Sequence, residues 1–350
     1  MLTKGLDVGG AERVVADLAT HLVDNGHDVE IAVISGSRLA LAPLLRSRGV
    51  GVVSLPGNDR VGLRGVLAVR RSLRRGRYDV VHAHGPAAIA LAGWFSPRPV
   101  VGTVHGMWRA LRPASRLAVR SSSHRVHLLA VSTTVRAALP SRLRANVTVI
   151  GHGVDIAATD RAAAVAATEA AATTLRLLTV ASHRPEKNYG NLLQAVAHAR
   201  ALGADDLHLT AIGEGPRLAA HRALAARLGL AEIVSFEPPR PDVLRDIAGC
   251  DVFVLASDSE GQPIVVVEAL ACRRPVIATA VGRTPELVTA DVGIVVPPGD
   301  PFTLGAAIAE LAANPDRRAA MSAACDRIRD ELSLDRALEA HLALYREVLS

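Results

Sequence analysis

Short runs of β-branched and apolar residues alternate along the chain with stretches of 10–20 residues whose apolar positions recur at helical spacing. VEIAVIS (29–35), GVVSL (51–55), DVVHAH (79–84), PVVGTVH (99–105), HLLAVS (127–132) and VTVIGHG (147–153) read as strands. The alternation breaks at AATDRAAAVAATEAAATT (157–174), an Ala/Thr-rich and nearly featureless stretch. It resumes with LRLLTVAS (175–182), LHLTAIG (207–213), EIVSF (232–236), DVFVLAS (251–257), PVIATA (275–280) and GIVVP (293–297). Strands alternating with helices in this way build βαβ units in a parallel sheet. The pattern therefore predicts an α/β protein of two doubly wound domains, residues 1–156 and 175–350, joined by a linker over 157–174. In open sheets of this kind the ligand lies at the carboxyl ends of the strands, so the cleft between the domains is the expected site.

Composition adds bounds. A hydrophobic content of 49% over 350 residues is ample for two cores. Cys250, Cys272 and Cys325 are odd in number and widely spaced, which fits neither a disulfide framework nor a zinc site and points to a reducing, cytoplasmic setting. The opening MLTKGLDVGG has no signal-peptide core, and no apolar run reaches the 18 or so residues of a membrane span.

Charge changes the picture more. Residues 38–150 hold 19 arginines against only Asp59 and Asp79, a local balance of +17, while 151–350 carry −7. A basic half beside an acidic one predicts an anionic partner for the first half. Aromatics make up only 3% and nucleic-acid motifs are missing, so nucleic acid is not expected. GLRGVLAVRRSLRRGR (62–77) mixes Leu and Val with Arg as an interfacial helix does, which suggests peripheral attachment to an anionic membrane face or a lipid-phosphate substrate. A solvated arginine-rich face is the equally weighted alternative.

The candidate chemistry centres on SEGQPIVVVEALACRRP (259–275). Pro263 suits the first position of a helix over 263–272, and Pro275 prevents that helix continuing far past Arg274. Glu260 precedes the helix, where the positive end of the macrodipole favours an anion. Glu268 lies eight positions on among Val, Ala and Leu. Taken singly, each glutamate is best read as an ordinary helix residue. Eight residues at about 100° each overshoot two turns by about 80°, so both carboxylates fall on roughly one side, about 12 Å apart along the axis. Between them lie the free N–H groups of a helix N-terminus, a natural anion site. Phosphate at the centre and a hydroxyl acceptor at each end would suit a nucleotide sugar.

A phosphate side is present too. VASHRPEKNYGNLLQAV (180–196) turns from a strand into a helix with Arg184 and Lys187 three residues apart, able to converge on a phosphate or to be two surface cations. Lys187 is one of only two lysines beside 38 arginines. IGEGPRL (212–218) repeats the strand–Gly–helix layout and is expected to let the backbone approach a ligand. Gly9 and Gly10 in VGGAERVV (8–15) form a second possible phosphate-facing turn. No metal is called for. The chain contains no Asp-x-Asp, Asp258-Ser259-Glu260 being the nearest, and no His/Cys cluster has ligand spacing. Neither GxxxxGK[ST] nor GxGxxG occurs, which disfavours a nucleoside triphosphatase or a dinucleotide dehydrogenase, and no cofactor is expected.

These segments resemble the retaining glycosyltransferases of family 4, which have two Rossmann-like domains in the GT-B architecture. VGGAERVV, YDVVHAHGP, GTVHG, VIGHGVD, RPEKNYGNLL, IGEGP, CDVFVLASDSEGQPIVVVEALACRRPVIAT and TPELV…GIVVPPGD carry the likeness over nearly the whole length, with the E-x7-E element, Glu260 to Glu268, the most specific. The resemblance implies that Glu260 contacts the transferred sugar and Glu268 the ribose hydroxyls. Gly261, Gln262, Pro263, Ile264 and Val265 would line sugar and phosphate, with backbone N–H groups directed at them. Arg184 and Lys187 would hold the diphosphate, and His105 would lie against the sugar as a catalytic residue. It also implies metal-independent transfer with retention, the leaving phosphate helping to deprotonate a glycan or lipid-linked acceptor. Three positions depart from the family pattern: Ser182 stands where many relatives have the phosphate Arg, His152 replaces an Asn, and only eight residues precede Gly9. The first strand of the N-terminal sheet is accordingly expected to be largely missing. A nucleotide-sugar epimerase or hydrolase of the same fold is one alternative. A truncated relative that binds nucleotide or membrane without turnover is the other.

Overall fold

The computed structural model describes residues 1–7, 9–35, 39–56, 62–167, 174–240 and 242–350. It divides into two compact units, Met1–Gly153 with Leu334–Ser350, and Val154–Ser333.

Among the described residues the first unit is built on seven strands: β1 (Leu2–Thr3), β2 (Glu30–Val33), β3 (Gly51–Ser54), β4 (Val81–His84), β5 (Val100–Val104), β6 (His127–Ala130) and β7 (Val147–Val149). All pairings are parallel, in the order β3-β2-β1-β4-β5-β6-β7. The expectation of a missing first strand is corrected here. β1 is only two residues long, yet it occupies the central place, with Leu2 opposite Ala32 on one side and Ala83 on the other. The ladder toward β2 extends beyond it, because Ala32 N donates to Met1 O, Ile34 N to Thr3 O and Ser35 N to Lys4 O. Leu2 and Leu6 supply the apolar anchors, 1% and 0% exposed. Two buried leucines among six residues are enough to seat a central strand once both neighbours offer their edges.

Helices cover both faces of this sheet. Val69, Leu73, Ile89, Leu91, Ala92 and Val119 pack on one face, and Val15, Ala16, Ala19 and Leu45 on the other. The chain's last helix, Leu334–Leu349, returns to this unit, with Leu338, Leu344 and Tyr345 against Leu18, Leu22 and Val101. The sequence placed that helix with the C-terminal domain, but its apolar stripe finds its complement on the N-terminal sheet.

Among the described residues the second unit has six strands: β8 (Leu175–Val180), β9 (Leu207–Ile212), β10 (Val234–Glu237), β11 (Val252–Leu255), β12 (Val276–Thr279) and β13 (Gly293–Val296). They too are parallel, in the order β10-β9-β8-β11-β12-β13. Most of the expected linker is structured, because Ile156–Ala167 is a helix. Alanine loses no side-chain entropy in a helix. Asp160 ties this one down by accepting from Arg273 Nη1 at 3.0 Å and Arg329 Nη2 at 2.6 Å. The rest of the linker, 168–173, lies outside the described residues.

Shortening Leu2 tests the central strand. Leu2→Ala is expected to lower unfolding free energy by roughly 2–5 kcal/mol, as for other fully buried leucines, read by urea denaturation. A change below about 0.5 kcal/mol, the size expected of a surface site, would show that β1 is peripheral to the core.

Candidate functional site

In the C-terminal sheet β8 and β11 are neighbours and parallel, so the turns that follow them emerge side by side. The turn after β8 runs through Arg184 to Asn188, whose φ of 41° and ψ of 53° place it in the left-handed region. Asn188 tolerates this because its side chain accepts the Asn191 N–H at 3.1 Å and so caps helix Tyr189–Ala201. The loop after β11 runs through Ser257 to Pro263. Four bonds join the segments: Lys187 Nζ to Glu260 Oε1 at 2.5 Å, Asp258 N to Glu186 O at 2.8 Å, and Asn188 Nδ2 to Asp258 Oδ1 at 2.9 Å and Oδ2 at 3.1 Å. Ser257 Oγ also donates to Glu260 Oε1, at 2.7 Å. Lys187 and Glu260, 73 residues apart, thus form a half-buried ion pair at the strand ends.

A third turn supports the loop from beneath. After β12, Gly282 adopts φ +56°, and a Cβ there would lie 2.5 Å from Gly261 O and 2.6 Å from Glu260 O. Only glycine fits so close to that backbone. Arg283 N donates to Gly261 O at 2.9 Å, and Arg283 Nη1 donates to Gln262 Oε1 at 3.2 Å. Burial pulls the Arg283 guanidinium below its usual pKa, with Glu286 acting against the shift.

Helix Ile264–Ala271 starts one residue later than expected. Pro263 is its N-cap, with ψ at 109°, instead of its first helical residue. Gly261, Gln262, Pro263 and Ile264 are buried and Val265 half-buried. Glu268 is 5% exposed and sits inside the apolar helix, not on a solvated face. Arg184 is exposed. The glycines of IGEGP serve a different close approach from the one expected. A Cβ on Gly213 would stand 2.1 Å from Ala181 O, and one on Gly215 2.8 Å from His183 N, so both let the 213–215 segment lie on the backbone of the turn after β8.

The remaining expected residues belong to the N-terminal unit. Gly9 caps helix Gly10–Asp24, whose first residue is Gly10, and a Cβ on Gly9 would meet the Glu12 carboxylate at 2.6 Å. His105 follows β5 and stands in a row of histidines. His82 and His84 rings are 4.1 Å apart, His84 and His105 5.3 Å, and His105 and His152 5.3 Å. Among the described residues no group of His, Cys, Asp and Glu side chains has the arrangement of a metal site.

Sequence reasoning missed Asn188 and the bonds that Asp258 makes, and it missed Gly282 and Arg283. The first two stand inside motifs already singled out. Gly282 and Arg283 lie just before TPELV, and the strand order that brings them beneath Glu260 is not written locally.

Residues 8–158 match the family model described as Glycosyltransferase Family 4, and residues 160–326 match Glycosyl transferases group 1. The D-inositol 3-phosphate glycosyltransferase of Thermobispora bispora is 30% identical over 91% of this chain and 85% of its own. Its counterpart in Mycobacterium sp. (strain KMS) is 31% identical over 81% and 72%. Anabaena HepE in complex with UDP superposes with a TM-score of 0.84 at 20% identity, covering 99% of this chain and 98% of its own. The sucrose-phosphate synthase of Thermosynechococcus elongatus superposes at 0.81 and 20% identity, over 99% and 98%. The chain belongs to the glycosyltransferases of the family 4 type, with the GT-B fold, and is an enzyme that transfers sugars.

The histidines set a pH dependence. Burial disfavours the imidazolium, pushing His105 and His183 down to about 4 and His82 and His84 well below the usual range. Between about pH 6.5, the ordinary histidine value, and about pH 4 the unfolded chain binds more protons than the folded one. Stability is therefore present above this window and lost as pH falls through it. Thermal melts from pH 7.5 to 4.5 are expected to show Tm falling steadily below pH 6.5. A flat profile to pH 5 would overturn the neutral, buried assignment.

Proposed function

We propose that this glycosyltransferase moves a sugar from a nucleotide-diphosphate donor with retention of anomeric configuration and without a metal. The Lys187–Glu260 pair at the N-terminus of helix Ile264–Ala271 is the observation that carries the reading. In this scheme Glu260 receives the sugar hydroxyls, Glu268 the ribose hydroxyls, and the N–H groups around Gly261 to Val265 the phosphates. Lys187 is already neutralised in part by Glu260, so it cannot balance a diphosphate by itself, and Arg184 supplies the second cation. The bond from C1 to the phosphate oxygen breaks as the bond from C1 to the acceptor oxygen forms on the same face, and the acceptor proton passes to the leaving phosphate. UDP is the favoured carrier, since the similar HepE structures hold UDP and UDP-glucose.

The relatives' names turn the acceptor away from the lipid-linked or cell-envelope glycan expected from sequence. A phosphorylated cyclitol of the D-inositol 3-phosphate kind is the better reading. Such an acceptor is anionic, which agrees with the arginine excess of residues 38–150.

Calorimetric titration of UDP, GDP and ADP with EDTA present tests the donor site. One nucleotide, expected to be UDP, should bind saturably. Glu268→Ala should weaken it about ten- to hundredfold, the cost of losing hydrogen bonds to a charged group. No binding by any nucleotide in folded protein would refute the donor site, and turnover that EDTA abolishes and Mg²⁺ restores would refute metal independence. The product anomer, read by NMR, decides retention.

Peripheral attachment to an anionic membrane face is a second reading, because helix Leu63–Arg75 buries Gly65, Val69 and Leu73 but leaves Leu63 76% and Leu67 52% exposed beside its arginines. Among the described residues no helix is long and apolar enough to cross a membrane. Co-sedimentation with phosphatidylglycerol vesicles, lost in a Leu63→Ser, Leu67→Ser double variant, would favour this reading, and absence of binding at low salt would dismiss it.

A further inference from the structure

Glu260 is held more closely than an ion pair alone requires. Its backbone is fixed from beneath, where Gly282 comes so near that a Cβ there would stand 2.6 Å from Glu260 O. Its carboxylate takes two donors on one oxygen: Lys187 Nζ at 2.5 Å and Ser257 Oγ at 2.7 Å both reach Oε1. Ser257 is itself pinned. It stands two residues past β11, is fully buried, and its carbonyl accepts from Thr279 Oγ1 at 2.5 Å. Thr279 closes β12, the strand paired with β11, and is fully buried as well. Thr279, Ser257 and Glu260 thus link the sheet to the carboxylate, all within the second unit.

The two donors to Oε1 are not equivalent. Lys187 is an ammonium with three N–H bonds on a long flexible stem. In the proposed scheme it also serves the diphosphate, so arriving phosphates compete with Glu260 for it. Ser257 has one hydroxyl proton, spent on Oε1, and a short side chain on a backbone that Thr279 fixes. As Lys187 turns towards the phosphates, the Glu260 carboxylate, only 11% exposed, loses part of its compensation. A largely buried carboxylate in that position swings to another partner unless something else holds it. Swung away, it no longer presents an acceptor to the sugar. A hydroxyl that stays on Oε1 prevents the swing and fixes the plane of the carboxylate.

We infer that Ser257 is a positioning residue for the transferred sugar: it keeps its bond to Glu260 Oε1 while Lys187 turns to the diphosphate, and so presents Oε2 to a sugar hydroxyl. The inference rests on the reading of Glu260 as the sugar-facing carboxylate. It adds a division of labour within one ion pair. Lys187 is shared between the sugar and phosphate sides, and Ser257 holds the sugar side in place during the sharing. Binding of the nucleotide and binding of the sugar then separate. UDP lacks the transferred sugar, so its affinity does not pass through Ser257, whereas that of a UDP-sugar does.

Calorimetry on the full chain tests this with UDP, UDP-glucose and UDP-N-acetylglucosamine, the tighter-binding sugar nucleotide being followed in every variant. Ser257→Ala is expected to weaken that sugar nucleotide on the order of tenfold, the size of one hydrogen bond to a charged group. UDP should bind it nearly as it binds wild type, which also shows that the variant is folded. Ser257→Cys keeps a weaker donor in nearly the same volume and should fall between wild type and alanine. Equal weakening of UDP and sugar nucleotide in Ser257→Ala overturns the inference, because damage to the fold acts on both. Unchanged affinity for both overturns it too. Glu260→Ala separates the underlying reading. If that variant keeps the wild-type ratio of UDP to sugar-nucleotide affinity, the sugar-facing role of Glu260 fails and the role of Ser257 with it. If Glu260→Ala is selective and Ser257→Ala is not, only the role of Ser257 is lost. A wild type that binds UDP but neither sugar nucleotide counts against both.

Discussion

Parallel strand pairing is the constraint on which the rest depends. In both sheets every strand points the same way, so all carboxyl ends emerge along one edge and the segments after neighbouring strands must meet. β8 beside β11 brings Lys187 to Glu260. β12 beside β11 places Gly282 under Gly261. β4 beside β5 brings His84 to His105. Each contact spans 20 to 70 or so residues of chain, yet each follows from one step across a sheet.

The two polar clusters answer the cost of burial in opposite ways. In the C-terminal unit the charges remain and are paired. Lys187 meets Glu260, and Ser257 takes up further capacity of the same carboxylate oxygen. A pair of this kind adds little net stability, because desolvation offsets most of the attraction. Its structural effect is to hold two turns in register. In the N-terminal unit His82, His84 and His105 shed their charge, and burial keeps them neutral. A neutral row can be dry and close-packed, but each ring must then settle which nitrogen keeps the proton.

Much of the fold was legible. Twelve of the strands follow from apolar runs bounded by turn residues. β1 was missed because two residues carry no period, and its place is dictated by the free edges of β2 and β4. The Ala-rich stretch after residue 156 was read as linker because it lacks an amphipathic stripe, yet helix formation there is supported by ion pairs from Arg273 and Arg329, more than 100 residues away. Pro263 stands one place earlier in its helix than its fixed φ suggested, as a cap.

The sequence by itself determined the element order, the parallel class of both sheets and the types of side chain at the strand ends, because hydrophobic period and turn chemistry are local. Glu260, Glu268 and Lys187 could be picked out from spacing and neighbours alone. Only the tertiary structure decided which of them touch, that Glu268 is buried within its helix, that Arg283 reaches Gln262, and that the last helix returns to the N-terminal sheet. The physical reason is that an ion pair, a glycine's close approach or a histidine tautomer depends on what a neighbouring strand delivers. That neighbour is chosen by the packing of the whole sheet.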